Sequence, residues 1–466
     1  MGGSEGWGAL SLLPTLLVLG LAVATRRPLE ALIAGALFGH LLLFGAAFPA
    51  AFLETLQAVM AEPASVWVTL VVLLFGALVG ILARSGGSRA FGEALARRLR
   101  TRPRLLLGAW LLGVVTFVDD YLNALAVGAA FRSAADRFRI SRAKLAWVVD
   151  STAAPVCVLI PASTWTAFLI GLFEEGGLAA PGAGGALYLS LIPFLLYPWA
   201  ALLLVVGGAV GLVPDFRGMR TAERRAAAGD ADPEAVAALD ESLEPPPGHP
   251  PSKRPGLRAP AFLVPLLVLP LVTLLLGGDA LLGVSAALAL AVLLAGAVGP
   301  SGGFGIVADG ALRGMEAMLH PIGIVLVSFV LRDVNDALGL TEWVIGAVEP
   351  LATGWMLPAL VFVALAGVAF ATGSFWGTYT VSLPVVVGLG GAVEASLPLT
   401  LGALVSAGAF GSHACPYGDS TVLAAKSSGC GIMAHVRTQL PYALLAAGVA
   451  TVGFVVLGLL LAPSGA

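Results

Sequence analysis

Four carboxylates stand out in this chain because of where they fall. Of its 28 acidic residues, only Asp119, Asp120, Asp150 and Asp419 lie within stretches that are otherwise apolar. The first two stand in Val118-Asp119-Asp120-Tyr121-Leu122-Asn123, and the others open one shared tripeptide, Asp150-Ser151-Thr152 and Asp419-Ser420-Thr421. A charge at the centre of a bilayer costs about 2.5–3.5 kcal/mol on insertion scales, so acids retained there are few and tend to be functional. Carboxylate, hydroxyl and amide oxygens form the hard ligand set preferred by a small cation such as sodium, and a buried carboxylate can also exchange a proton. Candidate ion-binding residues are therefore Asp120, Asn123, Asp150, Ser151, Thr152, Asp419, Ser420 and Thr421. Thr372 and Ser374 join them from another polar interruption, Thr372-Gly373-Ser374-Phe375-Trp376-Gly377-Thr378. Candidate proton carriers are Asp119, Asp120, Asp150 and His413, and candidate direct Na+ ligands are Asp120, Asp150, Thr152 and Asp419. The same residue types have plainer uses: Asp, Ser and Thr cap helices, small residues let helices pack closely, and a buried His is often simply hydrogen-bonded.

The elements that must position these groups are membrane helices. The chain is 58% hydrophobic and 11% charged, against about a quarter charged in soluble domains. Apolar runs recur throughout, leaving no room for a separate soluble domain. No Lys or Arg precedes the first run, 9–25, so it lacks the basic start of a signal peptide and is read as a retained span. The three cysteines, Cys157, Cys415 and Cys430, have no metal-type spacing. No Gly-x-x-x-x-Gly-Lys sequence is present, which argues against a nucleotide-driven pump. The only nucleophile-and-base pair, His413 with Cys415, is a weak case for an enzyme. No cofactor, nucleotide or nucleic-acid partner is expected.

The placement of the 25 basic residues orients the chain. Arginines and lysines cluster at 26–27, 84–104, 132–144 and 217–258, whereas 46–65, 174–186 and 277–279 carry none. Crossings near 9–25, 29–47 and 66–83 lead to a cytoplasmic loop. Segment 105–131 then has basic flanks at both ends and is too short to cross twice, so it reads as a re-entrant hairpin with its tip at 119–123. Segment 145–173 reads as a helix broken at 150–152, and a span near 187–213 follows. After a polar stretch the order repeats in opposite orientation: spans near 260–276, 280–299 and 318–331, a hairpin over 357–393, a span interrupted at 413–421, and a last crossing near 439–461. The expected fold is thus an all-α polytopic membrane protein of about ten transmembrane helices plus two re-entrant hairpins, with a broken helix in each of two inverted repeats. The repeats are 1–213 and 259–466, joined by a cytoplasmic linker, 214–258. All but one of the 25 basic residues then face the cytoplasm and both termini lie outside.

At these same residues the chain resembles the NhaC type of sodium/proton antiporter, within the larger ion-transporter superfamily. The resemblance is carried by Val118 to Asn123 with Gly128, Ile140-Ser141-Arg142-Ala143-Lys144-Leu145-Ala146, Asp150-Ser151-Thr152-Ala153-Ala154-Pro155-Val156-Cys157, Ala371 to Thr378, and His435-Val436-Arg437-Thr438-Gln439-Leu440-Pro441-Tyr442. It implies Na+ exchanged for H+ by elevator-like alternating access in a bacterial-type cytoplasmic membrane, by a homodimer contacting lipid and small cations. One segment departs from the pattern. Where such antiporters are expected to read Gly-Asp-His-x-Ser-Pro-x-Ser-Asp-Thr, this chain has Gly411-Ser412-His413-Ala414-Cys415-Pro416-Tyr417-Gly418-Asp419-Ser420. An acid has become Ser412, and two hydroxyl positions have become Cys415 and Gly418. Some relatives of this type exchange organic solutes, so an exchanger of a small organic ion is the alternative expectation.

Overall fold

The computed structural model describes residues 7–25, 27–230, 255–276, 280–298, 303–373 and 375–461. Among them every regular element is a helix. Six helical stretches among the described residues are long and apolar enough to cross a membrane, Leu29–Ala61, Ser65–Arg84, Arg142–Glu174, Leu281–Val298, Val307–Ala337 and Ile432–Leu461, and the pair Gly184–Phe194 and Leu196–Val210, bent by 51°, passes the same test when taken together. The bend falls at a short 3-10 turn, Ile192–Phe194, that contains Pro193, whose missing N–H cannot continue an α-helix.

Helices Pro63–Arg84 and Gly303–Ala337 pack closely along one side of the molecule. Their backbones nearly touch: a Cβ on Gly80 would lie 2.0 Å from the Gly310 carbonyl oxygen, and one on Gly314 equally close to that of Gly76. Glycine is what permits this approach, as at many helix crossings in membranes. The 35-residue helix Gly303–Ala337 is much longer than the span read at 318–331. Asp309 and Arg313 interrupt its apolar pattern, yet the helix continues because Asp309 pairs with Arg84 and, at 2.9 Å, with Arg313. The basic-free stretch at 46–65 likewise contains a helix, Phe48–Ala61.

The functional elements follow the predicted order with shifted boundaries. Helices Arg102–Val115 and Asp120–Arg137 form the first hairpin, and its turn is Thr116–Asp119, so Asp120 and Asn123 sit in the first turn of the returning helix. The first broken span has two interruptions. Helix Arg142–Ser151 ends before Thr152 and Ala153, a short helix Ala154–Leu159 follows, and Thr164–Glu175 resumes after a gap holding Pro161. Helices Leu357–Thr372 and Phe375–Ala392 flank Gly373, whose φ of 65° closes the first of them in the left-handed conformation. The second break, Cys415–Gly418, separates Leu397–Ala414 from Asp419–Ser428. Ser374 and most of the linker, 231–254, lie outside the described residues. Linker residues nearest the membrane helices form a helix of their own, Arg217–Ala228.

Helix Asp120–Arg137 packs against Asp419–Ser428, bringing together segments about 300 positions apart in the chain. The contact is tight at Gly128, where a Cβ would meet Ser427 Oγ at 2.0 Å, and Ser427 Oγ donates to the Ala124 carbonyl at 2.8 Å.

Candidate functional site

Asp119 is the N-cap of helix Asp120–Arg137: its Oδ1 accepts from the backbone N–H groups of Tyr121 and Leu122 at 3.0 and 3.2 Å. Its Oδ2 accepts from Thr164 Oγ1 at 3.2 Å. With both oxygens engaged, Asp119 positions the turn, which is the capping role considered for the Asp-Ser-Thr tripeptides. Asp150 does not cap, because it ends a helix, and the N-cap of the following one is Ala153.

Asp120, one residue on, is 2% exposed and accepts a hydrogen bond from Trp165 Nε1 at Oδ1, 3.1 Å; its Oδ2 has no partner among the described residues. Asn123 lies on the same face one turn later. Its Nδ2 donates to the carbonyls of Gly113 at 2.6 Å and Thr152 at 2.7 Å, tying the hairpin to the first break, while its Oδ1 is left unpartnered. Close approach makes this tie feasible, since a Cβ on Gly113 would strike Thr152 Oγ1 at 2.1 Å. The Thr152 hydroxyl donates to the preceding helix, at the carbonyls of Val148 and Val149, so the Thr152 group that bonds to the hairpin is its carbonyl.

Asp150 is fully buried. Its Oδ2 accepts from His435 Nε2 at 3.0 Å and Gln439 Nε2 at 2.6 Å, and Oδ1 has no partner among the described residues. His435 and Gln439 are one turn apart on Ile432–Leu461, so their side chains share a face. Gln439 Nε2 also donates to the His413 carbonyl. The His413 ring lies between Ser151 Oγ, 2.9 Å from Nε2, and Tyr197 OH, 2.6 Å from Nδ1.

From the second half, Asp419 accepts a hydrogen bond from the Tyr121 hydroxyl at Oδ2 and from Ser420 N at Oδ1, 2.9 Å. Asp119 and Asp120 are within Coulombic reach of Asp419, as is Asp150. Ser420 and Thr421 turn away to the second break: Ser420 Oγ meets Ser412 Oγ at 3.0 Å and Thr421 Oγ1 donates to the Ser412 carbonyl at 3.0 Å. Ser412, at the position where an acid was expected, therefore holds the interruption together. Thr372 Oγ1 donates to Val368 O at 2.9 Å on its own helix. Tyr417 joins the two interruptions by donating to the Ala371 carbonyl.

Hydrogen bonds thus link Asn123 to the first break at Thr152, Ser151 to His413, and Asp419 to Tyr121 beside Asp120, whereas Ser420, Thr421 and Thr372 bond elsewhere and Ser374 lies outside the described residues. Sequence reasoning missed five residues of the site: Tyr121, Trp165, Tyr197, His435 and Gln439. His435 and Gln439 carried a usable signal, two polar residues four apart at the head of an apolar run, but placing the last crossing at 439 left His435 outside it. The three aromatics gave none, because aromatic residues in an apolar helix usually pack. Trp165 does both, stacking on Phe375 with ring centroids 3.9 Å apart while it donates to Asp120.

Such an architecture, multi-pass helices around a buried polar centre, defines the class as a membrane transporter. Comparison with known proteins gives the family: residues 169–459 match the Na+/H+ antiporter family, and the chain belongs to it. It is an antiporter-type secondary transporter, as the NhaC resemblance implied. An uncharacterised protein of Haemophilus influenzae is 31% identical over 96% of this chain and 90% of its own length. A malate-2H+/Na+-lactate antiporter of Bacillus subtilis is 29% identical over 33% of this chain and 32% of its own. An arginine/ornithine antiporter of Halobacterium salinarum is 29% identical over 40% of each chain.

Proposed function

We propose that this protein exchanges Na+ for H+ across the cytoplasmic membrane. The observation that carries this reading is that three of the buried oxygens without a hydrogen-bond partner among the described residues, Asp120 Oδ2, Asn123 Oδ1 and Asp150 Oδ1, belong to the hairpin and the first broken helix. Buried polar atoms in folded proteins are nearly always satisfied, and an ion is among the few explanations for exceptions. All three are hard donors. They sit on elements joined by the Asn123–Thr152 hydrogen bond, at the kind of interruption where inverted-repeat carriers bind their ions.

In this mechanism Asp120 and Asp150 take up a proton or share in holding Na+, never both together, so the two ions travel in opposite directions. His435 and Gln439 hold Asp150 through one oxygen and leave the other for the ion; Trp165 does the same for Asp120. The hairpins and broken helices move as a body against the helices crossing at Gly76, Gly80, Gly310 and Gly314, in a homodimer of inverted repeats with external termini.

A second reading is exchange of a small organic cation. The cluster of Trp165, stacked on Phe375 and tilted against Trp376, favours it through the contact of Trp165 with Asp120, since aromatic faces attract organic ammonium and guanidinium groups. Names of two relatives also describe organic solutes. Proteoliposomes loaded with a pH-sensitive dye decide between the readings, with Na+, Li+, K+ and organic solutes added in turn. Na+ moves protons under the first reading; proton movement with an organic solute but not with Na+ removes it.

A further inference from the structure

Helices Arg102–Val115 and Arg142–Ser151 pack side by side and are tied together at both ends. At one end stands Asn123, whose Nδ2 donates to the Gly113 carbonyl of the first helix and to the Thr152 carbonyl that follows the second. At the other stands Glu223, from the linker helix Arg217–Ala228. Its Oε1 accepts from the backbone N–H of Ser141, the N-cap of Arg142–Ser151, at 2.7 Å, and its Oε2 pairs with Arg102, the first residue of Arg102–Val115. Arg102 and Gly113 are about three turns apart on one helix, and Ser141 and Thr152 about three turns apart on the other. The two helices therefore run the same way, as matched sides of a frame closed by Glu223 and Asn123.

Glu223 is buried, although it belongs to the segment that joins the two halves of the chain. Burying a carboxylate is costly unless its oxygens are well engaged, and both oxygens of Glu223 are. Its charge also complements the dipole at the start of Arg142–Ser151. Neighbouring contacts reinforce the grip. Asp215, just before the linker helix, meets Lys144 Nζ in the first turn of Arg142–Ser151 at 2.7 Å. Phe216 N donates at 3.1 Å to the hydroxyl of Tyr442, whose ring stacks on Trp147 of the same helix with centroids 4.2 Å apart. Helices tied at both ends cannot slide along each other. Released at Glu223, they pivot about Asn123, and a slip of about 1 Å stretches one of its two hydrogen bonds beyond the range in which such bonds hold.

We propose that Glu223 is a positioning residue of the transport site. By fixing the register of Arg102–Val115 against Arg142–Ser151, it keeps the Gly113 and Thr152 carbonyls where Asn123 Nδ2 reaches both, and so aims Asn123 Oδ1. The effect on ion binding rests on the Na+ reading above; the common register of the two helices does not.

Two measurements test this together: hydrogen exchange of the full-length protein in nanodiscs, and Na+-dependent proton movement in proteoliposomes. Glu223→Gln keeps an oxygen for Ser141 N and loses the ion pair, and Arg102→Met removes the pair from its other side. Each speeds backbone exchange at 113–119 and 152–154, at the far end of the frame, by roughly threefold or more. Each raises the Na+ concentration for half-maximal exchange about two- to tenfold, the worth of one neutral hydrogen bond, with little change in maximal rate. Arg102→Met/Glu223→Gln, which breaks one clasp twice, does no more than either change alone. Glu62→Gln, which removes an ion pair to Arg332 between other helices, leaves the exchange of both segments as it is. Unaltered exchange there in Glu223→Gln, or the same acceleration in Glu62→Gln, overturns the clasp. Faster exchange with an unmoved half-saturation overturns the positioning of Asn123. A parent protein that moves no protons with Na+ removes the Na+ reading and with it the effect on ion binding, while hydrogen exchange still decides the clasp.

Discussion

Replacing Asp150 with Asn separates the charge of this carboxylate from its structural role. Both donors converge on Oδ2, and Oδ1 has no partner among the described residues. An Asn whose amide oxygen takes the Oδ2 position keeps both hydrogen bonds and turns its NH2 toward the unpartnered side. Two charge-assisted bonds become neutral ones, at a cost of about 1–2 kcal/mol, partly offset because no charge is buried any longer. The variant therefore folds and purifies like the parent. Its transport differs far more. A unit charge about 4 Å from a cation is worth about 4 kcal/mol at an effective dielectric of about 20. The amide dipole recovers a part of that, so Na+-dependent exchange falls by at least about a hundredfold. The assay is dye-reported proton movement in proteoliposomes after a Na+ pulse, with the variant reconstituted at equal protein density. Normal pH-dependent exchange by Asp150→Asn refutes the assignment, because neither proton uptake nor cation binding could then depend on this carboxylate.

Three further outcomes follow from the geometry. Trp165→Phe retains a ring to stack on Phe375 but removes the donor to Asp120 Oδ1; the Na+ concentration for half-maximal exchange shifts about tenfold or more, the worth of one hydrogen bond to a charged group, and an unchanged value removes Trp165 from the site. Under the proposed exchange protons and Na+ compete for the same carboxylates, so this concentration rises as pH falls while the maximal rate holds; a falling maximal rate at constant half-saturation points to separate sites. Gly80→Leu drives a side chain into the Gly310 carbonyl, which a Cβ alone would approach to 2.0 Å; overpacking there costs about 3 kcal/mol and lowers the thermal midpoint in detergent, whereas Gly20→Leu, with nothing within 4 Å of its Cβ position, leaves it in place.

The multi-pass helical character and the burial of the four key acids were legible in the sequence because both depend on local composition. Lipid excludes charge, so a carboxylate kept inside an apolar run announces itself without reference to its neighbours. The breaks were legible for a similar reason, as Pro155, Pro161, Pro416 and the glycines around them interrupt backbone hydrogen bonding wherever the helix packs. Helix ends were less so: charges that end an apolar run, such as Asp309 and Arg313, do not end a helix when they find partners.

Only the tertiary structure decided which groups share the site. Tyr121 reaches Asp419 across 298 positions of chain and His435 reaches Asp150 across 285, separations over which no periodicity carries information. It also separated roles within the adjacent pair Asp119-Asp120. The two are equivalent in composition and spacing, yet the hairpin turn spends both oxygens of Asp119 on capping and on Thr164 and leaves one oxygen of Asp120 unpartnered. Sequence alone marked these acids as buried groups beside backbone interruptions, because desolvation acts on each residue singly. The pairing of those acids with their donors was decided by packing, because a hydrogen bond requires atoms from distant segments to meet within about 3 Å.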